Sequence, residues 1–214
     1  LRERLSLVDL LLRAKRIAEA EAQLELVQQV KDRRPQRVEP MHSDVLLAAA
    51  TIANARGERD RAIEEATRAI RLRTLEYGAF DHRTLAAVCQ RGMVYQAAGR
   101  TSDAIADYRT VIRQNDAGFS QETRAWLAIA CNNLAVLVRD RDELAQAEIL
   151  FERAVRVAQN AWGPRDWRTA MVEANHGYTL GRLQRFTPAV AKLESAQEVL
   201  DEALGPEDRE TRAA

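Results

Sequence analysis

The chain has 214 residues, 46% hydrophobic and 30% charged, and its 32 basic and 32 acidic side chains cancel to a formal net charge of zero. That balance speaks against a general nucleic-acid binder, which needs a cationic excess to displace counterions, and no apolar window reaches the roughly 18 residues of a membrane span. Aromatics are only 5%, so a core must come from Leu, Ala, Val and Ile, while Cys89 and Cys131 without C-x-x-C spacing, and no visible signal peptide, suggest a reducing, cytoplasmic home.

Apolar residues recur at spacings of three, four and seven, which is one face of an α-helix, and five helical pairs are expected in order. The first spans residues 1–34, after which Pro35 and Pro40 break the chain. The second spans 39–77, with Gly57 at its internal turn, Asp60 as N-cap of its second helix and Gly78 as a left-handed C-cap. The third, 81–114, opens on the N-cap candidate Asp81, turns at Gly99 and re-enters helix at Ser102. The linker Asn115 to Ser120 lacks the Gly-x-x-Asp punctuation, and the fourth pair runs 120–162 to a C-cap at Gly163. The fifth, 166–204, starts at Asp166, with Thr187 as N-cap of its second helix, Pro188 in the first turn and Gly205 as C-cap. Residues 205–214 repeat the opening of the fifth pair, so they are expected to begin a truncated sixth unit of a single repeat domain, 1–214.

The pairs superpose on one another. Small residues fall at Val8, Ala50, Gly92, Ala135 and Gly177, steps of 42 or 43 residues, and twelve positions later at Ala20, Ala62, Ala104, Ala147 and Ala189. Four residues further on come Leu24, Ala66, Tyr108, Phe151 and Leu193, larger in every unit but the second. Small side chains belong where helices approach closely, and larger ones where the gap must be filled.

These columns resemble the tetratricopeptide repeat, most closely in Gly92, Tyr95, Gly99, Ala104, Tyr108 and Val111 of the third unit. The longer period, with Asn132-Asn133-Leu134-Ala135 and the Leu-Gly-x-x-Asp linkers, resembles the kinesin-light-chain-like subclass. The resemblance implies an all-α, right-handed superhelical solenoid whose first helices line a concave groove. It further implies a non-catalytic scaffold binding an extended peptide or partner domain, within a larger bacterial signalling or regulatory protein. The family pattern puts Gln90, Asn133 and Asn175 in a column expected to hydrogen-bond a peptide backbone, because a carboxamide donates and accepts at once. Neighbouring columns add Met93, Gln96, Asn132, Arg139, Tyr178 and Arg182, the arginines suited to a ligand carboxylate. The alternatives are that the asparagines cap or tie neighbouring helices, and that the chain is a purely structural or self-associating array packing against other domains of its own parent protein, with self-association through its uncapped last repeat.

No constellation points to catalysis or a cofactor. Cys89 and Cys131 stand in apolar surroundings and read as buried, inert thiols. His42, His82 and His176 show no paired metal-ligand spacing, so no metal is expected. Gly177 to Gly181 lies inside a predicted helix rather than in a phosphate loop, and Trp126, Trp162 and Trp167 read as staples between units.

Overall fold

A computed structural model describes residues 1–33, 41–113 and 120–204. Pro35, Pro40, the linker residues before Ser120, Gly205 and the expected sixth unit, 205–214, lie outside the described residues. Among those described, every regular element is an α-helix: α1 (Arg2–Arg13), α2 (Ile17–Arg33), α3 (His42–Ala55), α4 (Arg59–Tyr77), α5 (His82–Ala97), α6 (Thr101–Ile112), α7 (Gln121–Arg139), α8 (Leu144–Trp162), α9 (Trp167–Arg182) and α10 (Phe186–Leu204). The chain divides into two compact units, Leu1–Asp107 and Tyr108–Ala214. In the first, α1 packs on α2, α3 on α4 and α4 on α5; in the second, α7 pairs with α8, α8 with α9, and α9 with α10.

The small-residue columns explain why the helices pair. Ala20, Ala62, Ala104 and Ala147 are fully buried and Ala189 is 4% exposed, so each second helix presents a methyl group where a larger side chain would hold its partner away. The filler column is buried at Leu24, Ala66, Tyr108 and Phe151, but Leu193 on α10 is 41% exposed. Cys89 and Cys131 are buried thiols within this packing.

One turn closes all five first helices. The N–H groups of Arg16, Glu58, Arg100, Glu143 and Arg185 bond the carbonyls of Leu11, Ala53, Tyr95, Val138 and Leu180, and the preceding N–H groups bond one residue further on. This is the Schellman pattern, which needs a left-handed residue just past the helix end. Lys15, Gly57, Gly99, Asp142 and Gln184 supply it, with φ of 57°, 83°, 72°, 67° and 59°. Glycine is thus used at two of the five positions, and Lys, Asp and Gln accept the left-handed conformation at the others.

The turn also corrects the expected N-caps. Asp60, Ser102 and Thr187 are the second residues of α4, α6 and α10 rather than their caps. The Schellman turn delivers the chain directly into the next helix, so α4 starts at Arg59 with Glu58 before it and no side-chain cap. Asp60 instead lies in the first turn, where its charge complements the helix dipole.

A different joint ends two of the second helices. Gly78 has φ 92° and ψ 161°, and Gly163 has φ 98° and ψ 160°. The expected left-handed C-cap is therefore replaced by a region open essentially to glycine alone. Past each glycine, Asp81 or Asp166 caps the following helix by accepting from the backbone N–H of Arg83 or Arg168 at 2.9 Å. The same arginine returns two side-chain bonds to that aspartate. Its guanidinium also covers the aromatic residue before the glycine, 3.3 Å from the Tyr77 centroid and 4.7 Å from that of Trp162. Thr84 and Thr169 donate their hydroxyls to the glycine carbonyls at 2.9 and 2.8 Å. The reading of the tryptophans as staples suits Trp162, which packs against the core around Leu127 and Ala158. Trp167 departs from it, being 46% exposed.

Candidate functional site

In the second unit, Trp167, Met171, Asn175, Tyr178 and Arg182 succeed one another on α9 by steps of four, four, three and four residues. Helix geometry puts them on one face. Trp167, Met171 and Tyr178 are 46%, 50% and 56% exposed, an unusual concentration of large apolar side chains in solvent. Of these three, only Tyr178 was expected from the sequence. The spacing of four and seven between Trp167, Met171 and Tyr178 was the available signal.

A chain of carboxamides runs beside that stripe. Asn175 on α9 donates to Asn132 Oδ1 on α7 at 3.0 Å, Asn132 donates to Asn133 Oδ1 at 3.1 Å, and Asn133 donates to the Tyr108 hydroxyl on α6 at 3.2 Å. Each amide uses one N–H in the chain and has a second to offer. The side chains are half-buried, so their orientations are held by packing and by one another.

The two arginines lie at the end of this surface. Arg139 sits 5.0 Å from the Tyr178 ring centroid and 6.0 Å from that of Phe151, and its Nε donates to Asp140 at 3.3 Å. Arg182 donates to the Arg139 carbonyl at 3.2 Å and to Asp142 at 2.7 Å. Both cations are thereby positioned, and both already have acceptors.

The other expected residues fall in the first unit, on α5. Met93 is 44% exposed and Gln96 half-buried. Gln90 reaches a cleft of about 280 Å³ bordered by Leu5, Asp9, Asp44, Leu47 and Thr51, where its Oε1 is buried without a hydrogen-bond partner. Arg73 adjoins the same cleft and bonds the Asp44 carboxylate at 2.6 Å and the Arg83 carbonyl at 2.6 Å. The sequence reading named Gln90 but not Asp44 or Arg73, which reach the cleft only through the packing of α3 and α4.

Perturbed titrations mark the two aspartate caps and one buried histidine. The bond from Arg83 holds the Asp81 carboxyl down at about 2, and Arg168 lowers that of Asp166. Burial pushes His176 down to about 4, helped by Lys192 and Arg185 and opposed by Glu148. The His176 ring is 5% exposed and lies near-parallel to Phe151, its centroid 6.3 Å away, and neither ring nitrogen has a hydrogen-bond partner. One donor atom each from Glu148, Glu152 and His176 lie within 4.8 Å of one another.

The fold defines a class: an all-α protein built of paired helices. Within it, residues 127–167 match the sequence profile of the tetratricopeptide repeat. No curated protein sequence matches the chain significantly. Among solved structures it resembles BtubC (BKLC) from P. vanneervenii, with a TM-score of 0.73 and 19% identity over 96% of this chain and 82% of that one. It also resembles the nearly identical TPR-like repeats of a Podosopora anserina protein described as a kinesin light chain, at 0.70 and 17% over 95% and 96%. The apo form of RapI gives 0.75 and 12%, over 99% of this chain and 73% of that one. At these identities the likeness is one of fold.

Proposed function

We propose that the chain is a non-catalytic protein-interaction scaffold that binds an extended peptide, or an extended segment of a partner domain, along its first helices. Asn132, Asn133 and Asn175 hold the ligand backbone, Trp167, Met171 and Tyr178 take its apolar side chains, and Arg139 and Arg182 meet its acidic groups. Gln90, Met93 and Gln96 offer a second stretch of the same chemistry in the first unit. The observation that carries this reading is the row of asparagines, each already oriented by its neighbour and each with an N–H to spare. A preorganised amide loses little freedom when it binds, so more of the contact energy appears as affinity. Among the described residues, no helix is long and apolar enough to cross a membrane. We place the chain in a larger bacterial signalling or regulatory protein of the cytoplasm.

A second reading has its own support: the amide bonds join α9, α7 and α6, as they would in a purely structural or self-associating array. Panning a displayed peptide library against the chain, then titrating the enriched peptides into wild-type, Asn175→Ala and Arg182→Ala proteins, separates the two. Binding requires peptides whose affinity falls about tenfold or more in Asn175→Ala while the melting temperature holds. No enriched peptide, together with a lower melting temperature in Asn175→Ala, would establish the structural role instead.

A further inference from the structure

We propose that Glu148, Glu152 and His176 form a binding site for a divalent transition-metal ion of the zinc type, which clamps α8 to α9. Glu148 and Glu152 are one helical turn apart on α8, so their carboxylates lean over the same patch. His176 comes to that patch from α9, and the three donors lie within 4.8 Å of one another. Zinc holds oxygen and nitrogen donors at about 2.0–2.1 Å, which puts tetrahedral neighbours roughly 3.3 Å apart. Rotation of the two glutamate side chains closes the difference without moving a helix.

The buried imidazole is the independent observation. Polar atoms buried without partners are rare because each gives up its bonds to water, yet both nitrogens of His176 are in that state. A metal ion on one of them removes part of that cost. Glu152 is exposed and has no ion pair among the described residues, so it gives the ion an approach from solvent. Two carboxylates and a neutral imidazole carry the charge that a dication needs, and three protein ligands leave a fourth position for water. Imidazole favours zinc, cobalt, nickel or copper over magnesium, which prefers six oxygens.

Two cations oppose the ion and so identify its competitor. Arg185 pairs with Glu148 through a side chain that is 54% exposed, and the charge of Lys192 on α10 disfavours a positive charge at His176. Metal and Arg185 therefore compete for Glu148, and binding requires the guanidinium to swing out or share the carboxylate. The sequence showed no metal-ligand spacing because the set spans two helices and exists only once they pair.

The test uses the full chain, stripped with EDTA and dialysed, followed by thermal unfolding with added ZnCl2 or MgCl2 and by visible spectra with CoCl2. Zinc should raise the melting temperature by on the order of 5 °C at a hundredfold excess over Kd, and magnesium should not. Cobalt should develop the d–d absorption of a low-coordinate site. Glu152→Gln, at an exposed position, should keep the metal-free melting temperature and weaken zinc binding at least tenfold, while Arg185→Ser should tighten it. No zinc response, an equal response to magnesium, or a full response in Glu152→Gln would each overturn the site.

Discussion

Adding one methyl group to α9 should have opposite effects at two positions a helical turn apart. A Cβ at Gly177 would stand 3.0 Å from Leu193 Cγ, 3.2 Å from the Ala189 carbonyl oxygen and 3.3 Å from Leu193 Cδ2. At Gly181 its nearest neighbour would be the Ala189 Cβ at 3.9 Å, an ordinary contact. Replacing glycine by alanine inside a helix gains up to about 1 kcal/mol of helix propensity at either site. Leu193 is partly exposed and can rotate away, but the Ala189 carbonyl belongs to the α10 backbone and cannot. The two helices must then separate, at an overpacking cost of about 1–3 kcal/mol. Gly177→Ala should therefore lose about 1 kcal/mol net, and Gly181→Ala should gain about 0.5–1. Urea denaturation followed by circular dichroism would measure both, and melting temperatures should move by about 2–4 °C per kcal/mol in opposite directions. A Gly177→Ala protein as stable as Gly181→Ala would refute the close approach of α9 to α10.

Further expectations rest on other parts of the fold. Ala147→Leu puts a branched side chain into a fully buried column and should cost about 1–3 kcal/mol; an unchanged melting temperature would count against that packing. Gln184→Gly relieves a left-handed φ of 59° and should gain about 0.5–1 kcal/mol in urea melts. His176 has its folded pKa depressed to about 4 by burial and by Lys192 and Arg185, with Glu148 pulling the other way. The unfolded chain takes up the proton first, so this stability is whole above about pH 6.5, falls on acidification and levels off below about 4. Near pH 5 the loss should reach about 2 kcal/mol in EDTA, and His176→Leu should flatten that part of the pH profile. Asp81, held at about 2 by Arg83, adds a separate loss that begins only below about pH 4 and is shared with Asp166, so Asp81→Asn should shrink the acid limb without touching the first.

The helical pairing was legible because it is written in volume. A column of alanines can be read without coordinates, and its burial follows from the need of two helices to touch. The caps Asp81 and Asp166 were legible for a similar reason, since an acceptor of that size just after a glycine has few other uses. The Schellman turns were only partly so. Gly57 and Gly99 announce a left-handed residue, whereas Lys15, Asp142 and Gln184 do not, because their conformation is imposed by hydrogen bonds from residues on either side. The three misplaced caps share this origin: Asp60, Ser102 and Thr187 look like helix starts, but the turn begins the helix before them. Of the candidate surface, Asn133, Asn175, Tyr178 and Arg182 could be named from a column, while the pairing of Asn175 with Asn132 could not. Contacts between α8 and α9, such as the approach of His176 to Glu148, leave no trace in either helix alone.

The Gly-x-x-Asp-x-Arg-Thr joints give the chain a natural splice point. The segment from Gly78 to Thr84 and that from Gly163 to Thr169 fold into the same set of bonds: an aspartate cap, an arginine fork, a threonine hydroxyl on the glycine carbonyl and an aromatic lid before it. Those bonds close within the joint and its immediate neighbours. Deleting residues 80–164 would join the front of one such segment to the back of the other, producing a joint with Tyr77, Gly78, Asp166, Arg168 and Thr169 in their usual places. Duplication of the same block would instead add a third joint, in which Gly163 and Pro164 lead into Phe80, Asp81, His82, Arg83 and Thr84. The number of helix pairs is therefore free to grow or shrink by recombination at these seams, with no new backbone geometry to be invented at the scar.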